Sequence, residues 1–495
     1  WKRELKMETR FGRGLFGGGL DCRGRQRLFG VSGMLALQIS FCIATGVVFA
    51  RPGDLLREYA NPSEDTFHPR FGSVIVPAGA SIYVGVPQFD RWAVDSGVVF
   101  RLDLDSGEVS TVFENPTPFD QEEFGFSVAA SGDRVLIGAP GARPEINGER
   151  LNNVGEAYLF DAATGELLQT LVNPDGTILN RFGASVALFD AHPVVGAPFN
   201  GGNVPRAGAA YVFDVSRDEP TFVTLAKPAP RPHEHLGAQV VAVGSNILVG
   251  APLDENQGAA YLFDPVRGSV LKRFVSPAGQ AARHFGSSLA VAGEIIAMGD
   301  PHDAASGPSA GAVFLFNSRT GDLLREIRPP QAEEEAEFGA AISLSDTELL
   351  VGSPGALDDS AVRVGQVYLY RWTTGGLLFK VGAPGAAARD EFGRAVAFQG
   401  PSLLVGSPER SSGRGSVFLF EGSSGTTGDP CLPIPADPLR PDCNGNGSVD
   451  SCDIFGKVSK DCDADGIPDE CQLVTSDCNF NSTPDCVRRP ATSAR

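Results

Sequence analysis

The chain has 495 residues, 42% of them hydrophobic, with 60 Gly, 36 Pro and a formal net charge of −19. Its length and apolar content allow a large core, its Gly and Pro content excludes a fold of long helices, and its acidity argues against nucleic acid as a partner. The nine Cys are confined to the two ends, with none in residues 51–430.

At the start, Arg23, Arg25 and Arg27 precede an apolar run from Leu28 to Ala50 that closes on Val48-Phe49-Ala50. A basic stretch, an apolar stretch and a small residue at the end read as a cleavable secretory signal in residues 1–50, with a membrane anchor as the alternative. The first residue is Trp1, and Met7 and Met34 are alternative starts. Thr45-Gly46-Val47-Val48-Phe49 also matches Ser96-Gly97-Val98-Val99-Phe100, so the leader has a second reading as a repeat remnant. No other segment is long and apolar enough to span a bilayer, so no membrane span is expected after signal cleavage.

From residue 51 the chain repeats. Phe-Gly stands at Phe71, Phe124, Phe182, Phe285, Phe338 and Phe392, with Leu236-Gly237 filling the gap, at intervals of roughly 50 residues. Each is followed by Gly-x-Pro, ending at Pro87, Pro140, Pro198, Pro252, Pro301, Pro354 and Pro408. Within a repeat, as in Phe182–Leu188, Pro193–Pro198 and Gly208–Asp214, the runs are short, β-branched or aromatic, and bounded by Gly or Pro. Such runs are strands, and a fourth follows a Thr-Gly turn, as in Thr164-Gly165-Glu166-Leu167-Leu168. Four antiparallel strands per repeat of this length make one propeller blade, so the expected fold is all-β: a seven-bladed β-propeller of four-stranded blades over 51–422. The Phe is expected to pack between blades, its Gly to permit close backbone approach, and the Pro to end the second strand.

These repeats resemble the FG-GAP repeats of integrin α-subunit heads and of many bacterial extracellular proteins. The resemblance covers about three-quarters of the chain and implies a propeller with a binding or adhesion role. Integrin-type propeller calcium sites do not carry over, because no first-to-second-strand turn here holds Asp-x-Asp-x-Asp-Gly.

The last repeat ends at Gly415–Phe420 without a fourth strand. Gly53-Asp54-Leu55-Leu56-Arg57-Glu58-Tyr59 closely matches Gly321–Ile327, the fourth strand of an earlier repeat, so residues 51–60 are expected to complete the last blade. The loops that join second to third strands (88–96, 141–154, 355–364) and fourth to first strands (117–123, 329–337) are long and share one face. Acid gathers in them at Asp120, Glu122, Glu123, Glu333, Glu334, Glu335, Glu337, Asp358 and Asp359, with Asp390 and Glu391 nearby. Loops on a rigid scaffold are the usual seat of recognition, and these acids are the candidate partner-binding residues.

Catalytic motifs are missing. His233-Glu234-His235 is too short for the zinc-helix motif, the repeats contain no Cys, and no nucleophile elbow, Walker loop or dinucleotide fingerprint stands out. His68, His235 and His284 stand just ahead of the Phe-Gly position, where other repeats carry Arg or Glu, and read as a surface slot. The chain is therefore expected to be a non-catalytic binder.

A Gly/Ser/Pro linker at 423–440 leads to a Cys-rich tail at 441–488, with an unstructured end at 489–495. Asp442, Asn444, Asn446, Ser448, Asp450 and Asp453 occupy positions 1, 3, 5, 7, 9 and 12 of a calcium loop, with Gly447 at the sharp turn and Ser448 offering its carbonyl. Asp461, Asp463, Asp465, Ile467 and Asp469 repeat the spacing, with Gln472 at position 12, while a third copy from Asp477 lacks the Gly. This tail resembles thrombospondin type 3 repeats and, more loosely, dockerin loops. Calcium is the implied cofactor, and the seven Cys leave Cys431 as the odd one, with pairing open. The whole reads as a secreted or cell-surface adhesion protein that engages an extracellular protein or glycan, with the tail as spacer or attachment. A polysaccharide-active or cellulosome-like component and a structural surface protein are the alternatives.

Overall fold

Each repeat supplies four short apolar runs separated by Gly, Pro and Asp, and the chain folds by pairing each run with the one before it. The computed structural model describes residues 50–423 apart from 64–67, 147–148, 177, 203, 218 and 280–283. Blade 1 consists of Val74–Ala78, Ser81–Val86, Val98–Asp103 and Val109–Glu114. Blade 2 consists of Ser127–Ser131, Arg134–Ala139, Glu156–Asp161 and Leu167–Val172. Blade 3 takes Ser185–Phe189, His192–Ala197, Ala209–Asp214 and Thr221–Leu225. Blade 4 takes Gln239–Val243, Asn246–Ala251, Ala259–Phe263 and Val270–Val275. Blade 5 is Ser288–Ala292, Ile295–Asp300, Ala312–Asn317 and Leu323–Ile327. Blade 6 is Ala341–Leu344, Glu348–Ser353, Gln366–Arg371 and Gly376–Val381. Blade 7 has Ala395–Gln399, Ser402–Ser407 and Ser416–Phe420 from the end of the ring. Its fourth strand is Leu55–Ala60, from the beginning.

The first strands touch in sequence around a closed cycle, the last of them, Ala395–Gln399, reaching back to Val74–Ala78. The expected seven-bladed propeller is therefore the observed one. Each second strand stops at the residue before the Pro of Gly-x-Pro, as Arg134–Ala139 does before Pro140, because Pro cannot donate to the ladder. The turns between third and fourth strands are built by a local acceptor. In blade 2, Asp161 Oδ1 accepts from the amides of Ala163 (2.9 Å) and Thr164 (2.7 Å). Asp103, Asp264 and Asn317 start the same turn in other blades, with their own side chains as acceptors.

The core lies between blades. Seven apolar clusters occupy the seven seams, each uniting a third strand with its neighbour across the gap. Phe124 is fully buried in the seam of blades 1 and 2, with its ring 5.6 Å from Tyr158 and 6.0 Å from Phe160, among Tyr83, Val99 and Phe113 of blade 1. The backbones meet there too: Gly97, just before the third strand of blade 1, bridges to Phe124, and a Cβ on Gly97 would stand 2.0 Å from the Phe124 carbonyl oxygen. A Cβ on Gly85, the Gly of Gly-x-Pro, would stand 2.2 Å from the Gly125 oxygen. The close approach expected of the Phe-Gly glycine is thus shared by two further glycine columns. A hydroxyl adds to three seams: Ser127, Ser185 and Ser288 donate to the carbonyls of Gly183, Gly237 and Gly339 in the next blade.

The clasp strand Leu55–Ala60 pairs antiparallel with Ser416–Phe420, Leu55 facing Phe420 and Ala60 facing Ser416. A fourth strand exposes most of its side chains and buries one, which is Ile327 in blade 5 and Tyr59 in blade 7. Tyr59 is 4% exposed, lies in the seam of blades 7 and 1, and donates its hydroxyl to the Leu104 carbonyl at 2.6 Å. Deleting residues 51–60 removes this side chain and uncovers a strand whose five residues are all buried. We expect the deletion to cost more than a Tyr59→Ala change, itself about 3 kcal/mol. Thermal and urea melts of the two variants check this, and a deletion variant melting with the parent would contradict the clasp.

Candidate functional site

Antiparallel blades put the second-to-third loops and the fourth-to-first connections on the same face. Each connection is laced to the loop of the preceding blade by backbone bonds. Gln121 N–H donates to Val94 O at 2.6 Å and Glu123 N–H to Asp95 O at 2.9 Å. The same pair recurs as Leu179 and Arg181 onto Asn152 and Asn153, and as Glu335 and Glu337 onto Pro308 and Ser309. Both donors in each pair are left-handed, with φ of 62° at Gln121 and 55° at Glu123. Left-handed geometry costs a non-Gly residue of the order of 1 kcal/mol, and the lacing holds it in place. It also turns the residue between the two donors inward.

That geometry corrects the expectation for Glu122, which is 1% exposed and does not stand on the face. Its Oε2 accepts from Asn115 Nδ2 at 2.7 Å and from the Phe119 amide at 3.1 Å, so it ties down its own connection, and burial raises its pKa. Asp390, in the matching position of blade 7, is likewise buried, accepting from the Ala387 amide at 2.9 Å. Several other acids are on the face but engaged. Glu123 pairs with Arg181 at 2.6 Å, Glu391 with Arg70 at 3.0 Å and Asp359 with Lys380 at 3.3 Å. Asp120 accepts from the Val94 amide, Glu333 from the Leu357 amide, and Asp358 from the Ser360 and Val362 amides. Glu335 sits 3.5 Å from Arg363, while Glu334 is exposed and Glu337 half-buried. The acids thus form no single free patch. The tail ligands Asp442, Asn444, Asn446, Ser448, Asp450, Asp453, Asp461, Asp463, Asp465, Ile467 and Asp469 lie outside the described residues.

Two features of this face were not read from the sequence. The first is an arc of separate exposed apolar side chains in the loops of blades 1 to 3. Trp92 (59% exposed) and Val94 (54%) stand in the loop of blade 1, beside Phe119, and Ile178 and Leu179 stand in the connection to blade 3. Arginines lie over its rings: Arg91 is 5.1 Å from the Trp92 ring, Arg150 is 4.0 Å from Phe119 and Arg206 is 5.1 Å from Phe199. Phe199, Leu179 and Arg206 also line a hollow of about 230 Å³. The available signal was Arg91-Trp92, a rare Trp in a long loop. The second feature is an open cleft of about 370 Å³ between blades 5, 6 and 7.

The three histidines do not share one position: His68 is exposed, and the position adjoining the Phe is half-buried. His68 lies three residues before Phe71, against Gly413, and Arg70 takes the position adjoining the Phe. His235 and His284 are half-buried. His284 lies edge-on to His302 with ring centroids 4.4 Å apart, and burial, reinforced by His302, holds it down at about 4. Among the described residues, no group of three or more His, Cys, Asp or Glu could hold a metal ion, and no helix is long and apolar enough to cross a membrane.

The connection from blade 3 to blade 4 carries the densest buried charge. Lys227 Nζ donates to Glu234 Oε1 at 2.6 Å and to Asp254 Oδ1 at 2.9 Å, both carboxylates being buried. The Tyr261 hydroxyl donates to Asp254, and Arg273 adds a contact at 3.2 Å. Burial opposes the charged form of Asp254, but the hydrogen bonds from Tyr261 and Lys227 outweigh it and hold the carboxyl below its usual range. Burial leaves Glu234 above its usual range. Lys227→Met takes from both carboxylates the cation they share and leaves Asp254 to Tyr261 and Arg273 and Glu234 to the Arg231 amide, a partial stranding expected to cost about 3 kcal/mol at neutral pH. Stranding raises their folded-state pKa, so the deficit should shrink as pH falls and the native state takes up protons. Urea unfolding at pH 7 and pH 4.5 checks both the size and the trend.

An FG-GAP repeat family model matches residues 120–160 and 166–213, which run from the connection into blade 2 to the third strand of blade 3. No curated protein matches the chain. With this match falling on two of seven alike blades, the chain carries FG-GAP repeats arranged as a seven-bladed β-propeller.

Proposed function

We propose that this protein is a secreted or cell-surface, non-catalytic binding or adhesion protein whose loop face recognises an extracellular partner. The observation that carries the reading is the apolar arc of Trp92, Val94, Phe119, Ile178 and Leu179 with its arginines. Aromatic side chains and Arg are the residues enriched at the centres of protein interfaces, and exposed apolar patches on soluble proteins mark such sites. The arc therefore favours a protein as the partner. Both ends of the ring leave from the opposite face, since Gly53 and Glu421 are bonded to one another beside the third-to-fourth turns. A tether at either end leaves the loop face free.

In this reading the tail is a calcium-stabilised spacer or attachment element. The support is the spacing of Asp442, Asn444, Asn446, Ser448, Asp450 and Asp453, and of Asp461, Asp463, Asp465, Ile467 and Asp469. Oxygen donors at these intervals wrap a hard cation, and metal and disulfides replace a hydrophobic core in so short a segment.

Residues 51–495, immobilised and presented to extracellular proteins, should capture a partner that a Trp92→Ala/Phe119→Ala variant binds about 30-fold more weakly, with an unchanged melt. A partner bound equally by that variant would overturn the arc as the recognition surface. Calcium removal gives a separate expectation: a chelator should change the circular dichroism of the tail and leave the propeller's melting midpoint in place. A midpoint that falls with the chelator would put a structural cation in the propeller instead.

A further inference from the structure

Of the three lysines among the described residues, Lys272 reaches a backbone carbonyl and Lys380 an exposed aspartate, and only Lys227 is set among buried carboxylates. Its side chain is 11% exposed and ends between Glu234 Oε1 at 2.6 Å and Asp254 Oδ1 at 2.9 Å. The carboxyls of Glu234 and Asp254 also bond one another, so three groups able to exchange protons stand in mutual contact. In blade 5 Asp303, like Asp254 the second residue after the Pro of Gly-x-Pro, is met instead by Arg328 at 2.6 Å. A guanidinium keeps its protons and makes an ion pair only, whereas a lysine that loses a proton becomes a nucleophile.

The second oxygen of Asp254 is held from the other side. Its Oδ2 accepts from the Tyr261 hydroxyl and from Arg273 Nη2 at 3.2 Å. Two donors on one oxygen polarise the carboxyl and stand ready for negative charge when its carbon is attacked. Lys227 Nζ, in contact with Oδ1, is a short move from that carbon, where attack needs about 3–3.5 Å. Nucleophile, carboxyl, proton carrier and oxyanion donors are thus all in place.

We propose that Lys227 and Asp254 condense to an intramolecular isopeptide bond, with Glu234 carrying the protons. The Lys227 ammonium gives one proton to Glu234, which passes it to Asp254 Oδ1. The neutral amine attacks Asp254 Cγ and forms the C–N bond, and negative charge gathers on Oδ2 against Tyr261 and Arg273. Glu234 takes a second proton from the nitrogen and hands it to Oδ1. The C–Oδ1 bond breaks, Oδ1 leaves as water, and Oδ2 becomes the amide oxygen. One proton stays on the nitrogen, nothing is oxidised or reduced, and no co-reactant is consumed.

Two effects drive a condensation that bulk water opposes. Held groups react at effective concentrations of about 10⁵ M or more. The product also replaces two buried charges with a neutral amide. One effect slows it: burial opposes the ammonium of Lys227, but the hydrogen bonds to Glu234 and Asp254 outweigh it and raise its pKa. The reaction therefore starts from the minor state in which Glu234 holds the proton. The bond ties the connection between blades 3 and 4 to the second-to-third loop of blade 4, and it stands whether or not the loop face engages a partner.

Peptide mapping of the full chain, purified folded and then reduced and unfolded, tests it. Both residues lie in one tryptic peptide, residues 218–267, because Lys227 and Arg231 each precede Pro. In the parent this peptide should be one water lighter than its sequence, and further cleavage after Glu234 should leave the parts on either side joined. Lys227→Arg and Asp254→Ala should each give the full mass of their own sequence. Glu234→Gln keeps both reacting groups and should bond about a hundredfold more slowly, with an unchanged circular dichroism spectrum. A parent peptide at full mass overturns the proposal, whatever the folding of the variants. A lighter peptide whose parts separate after Glu234 places the lost water elsewhere and overturns it as well, and bonding of Glu234→Gln at the parent rate would remove Glu234 as the proton carrier.

Discussion

Where one blade meets the next, the carbonyl oxygen of Phe124 lies 2.0 Å from the point a Cβ on Gly97 would occupy, so the two backbones meet with nothing but hydrogen between them. Gly155 against Phe182, Gly311 against Phe338 and Gly365 against Phe392 repeat the contact at nearly the same distance. Close approach of this kind lets the Phe ring reach the aromatic residues of its own third strand while the neighbouring sheet covers its other side. Apolar burial then falls in the seams, and a blade by itself has no core to speak of. Stability is thus a property of neighbouring pairs, as in other repeat architectures, and the ring gains one additional pair by closing. The closing seam uses the same parts: Phe71 bridges Gly415 as Phe124 bridges Gly97.

This seam also shapes the loop face. Bringing the next Phe into place forces the connection before it through alternate left-handed residues, and the residue between them points inward. That inward position holds groups able to satisfy the amides and cations of the turn, such as Glu122, Glu234 and Asp390. Much of the acidity of the loops is therefore used internally. What is left on the face falls in two chemical halves, apolar side chains with arginines on blades 1 to 3 and a charged cleft on blades 5 to 7. One scaffold can present both because the loops vary in length and content while the lacing beneath them repeats.

The fold was legible in the sequence because its determinants are periodic. Phe-Gly, Gly-x-Pro and the Gly-Asp-Leu-Leu segment recur in register, and even the clasp could be read from the likeness of Gly53–Tyr59 to Gly321–Ile327. The face was less legible. Whether Glu122 or Glu123 points outward depends on a backbone alternation that no residue type announces, and the two adjoining glutamates differ completely in fate. Likewise, Trp92, Phe119 and Ile178 come from three separate loops, and Glu337 and Arg389 from two blades, so the ring alone assembles each group. Residue spacing reports contacts made within a blade far better than contacts made across seams.

The clasp has a mechanical consequence. Leu55 opposes Phe420, so the two covalent tethers of the propeller emerge at the same end of one antiparallel strand pair. A force drawing those tethers apart would load that pair like a zipper, breaking its hydrogen bonds one after another rather than shearing them together. Where residues 1–50 stay attached, tension between the segments on either side of the ring would be felt first by blade 7, while tension between one tether and a partner on the loop face would pass across intact sheets. The same molecule would be compliant under one direction of pull and stiff under the other.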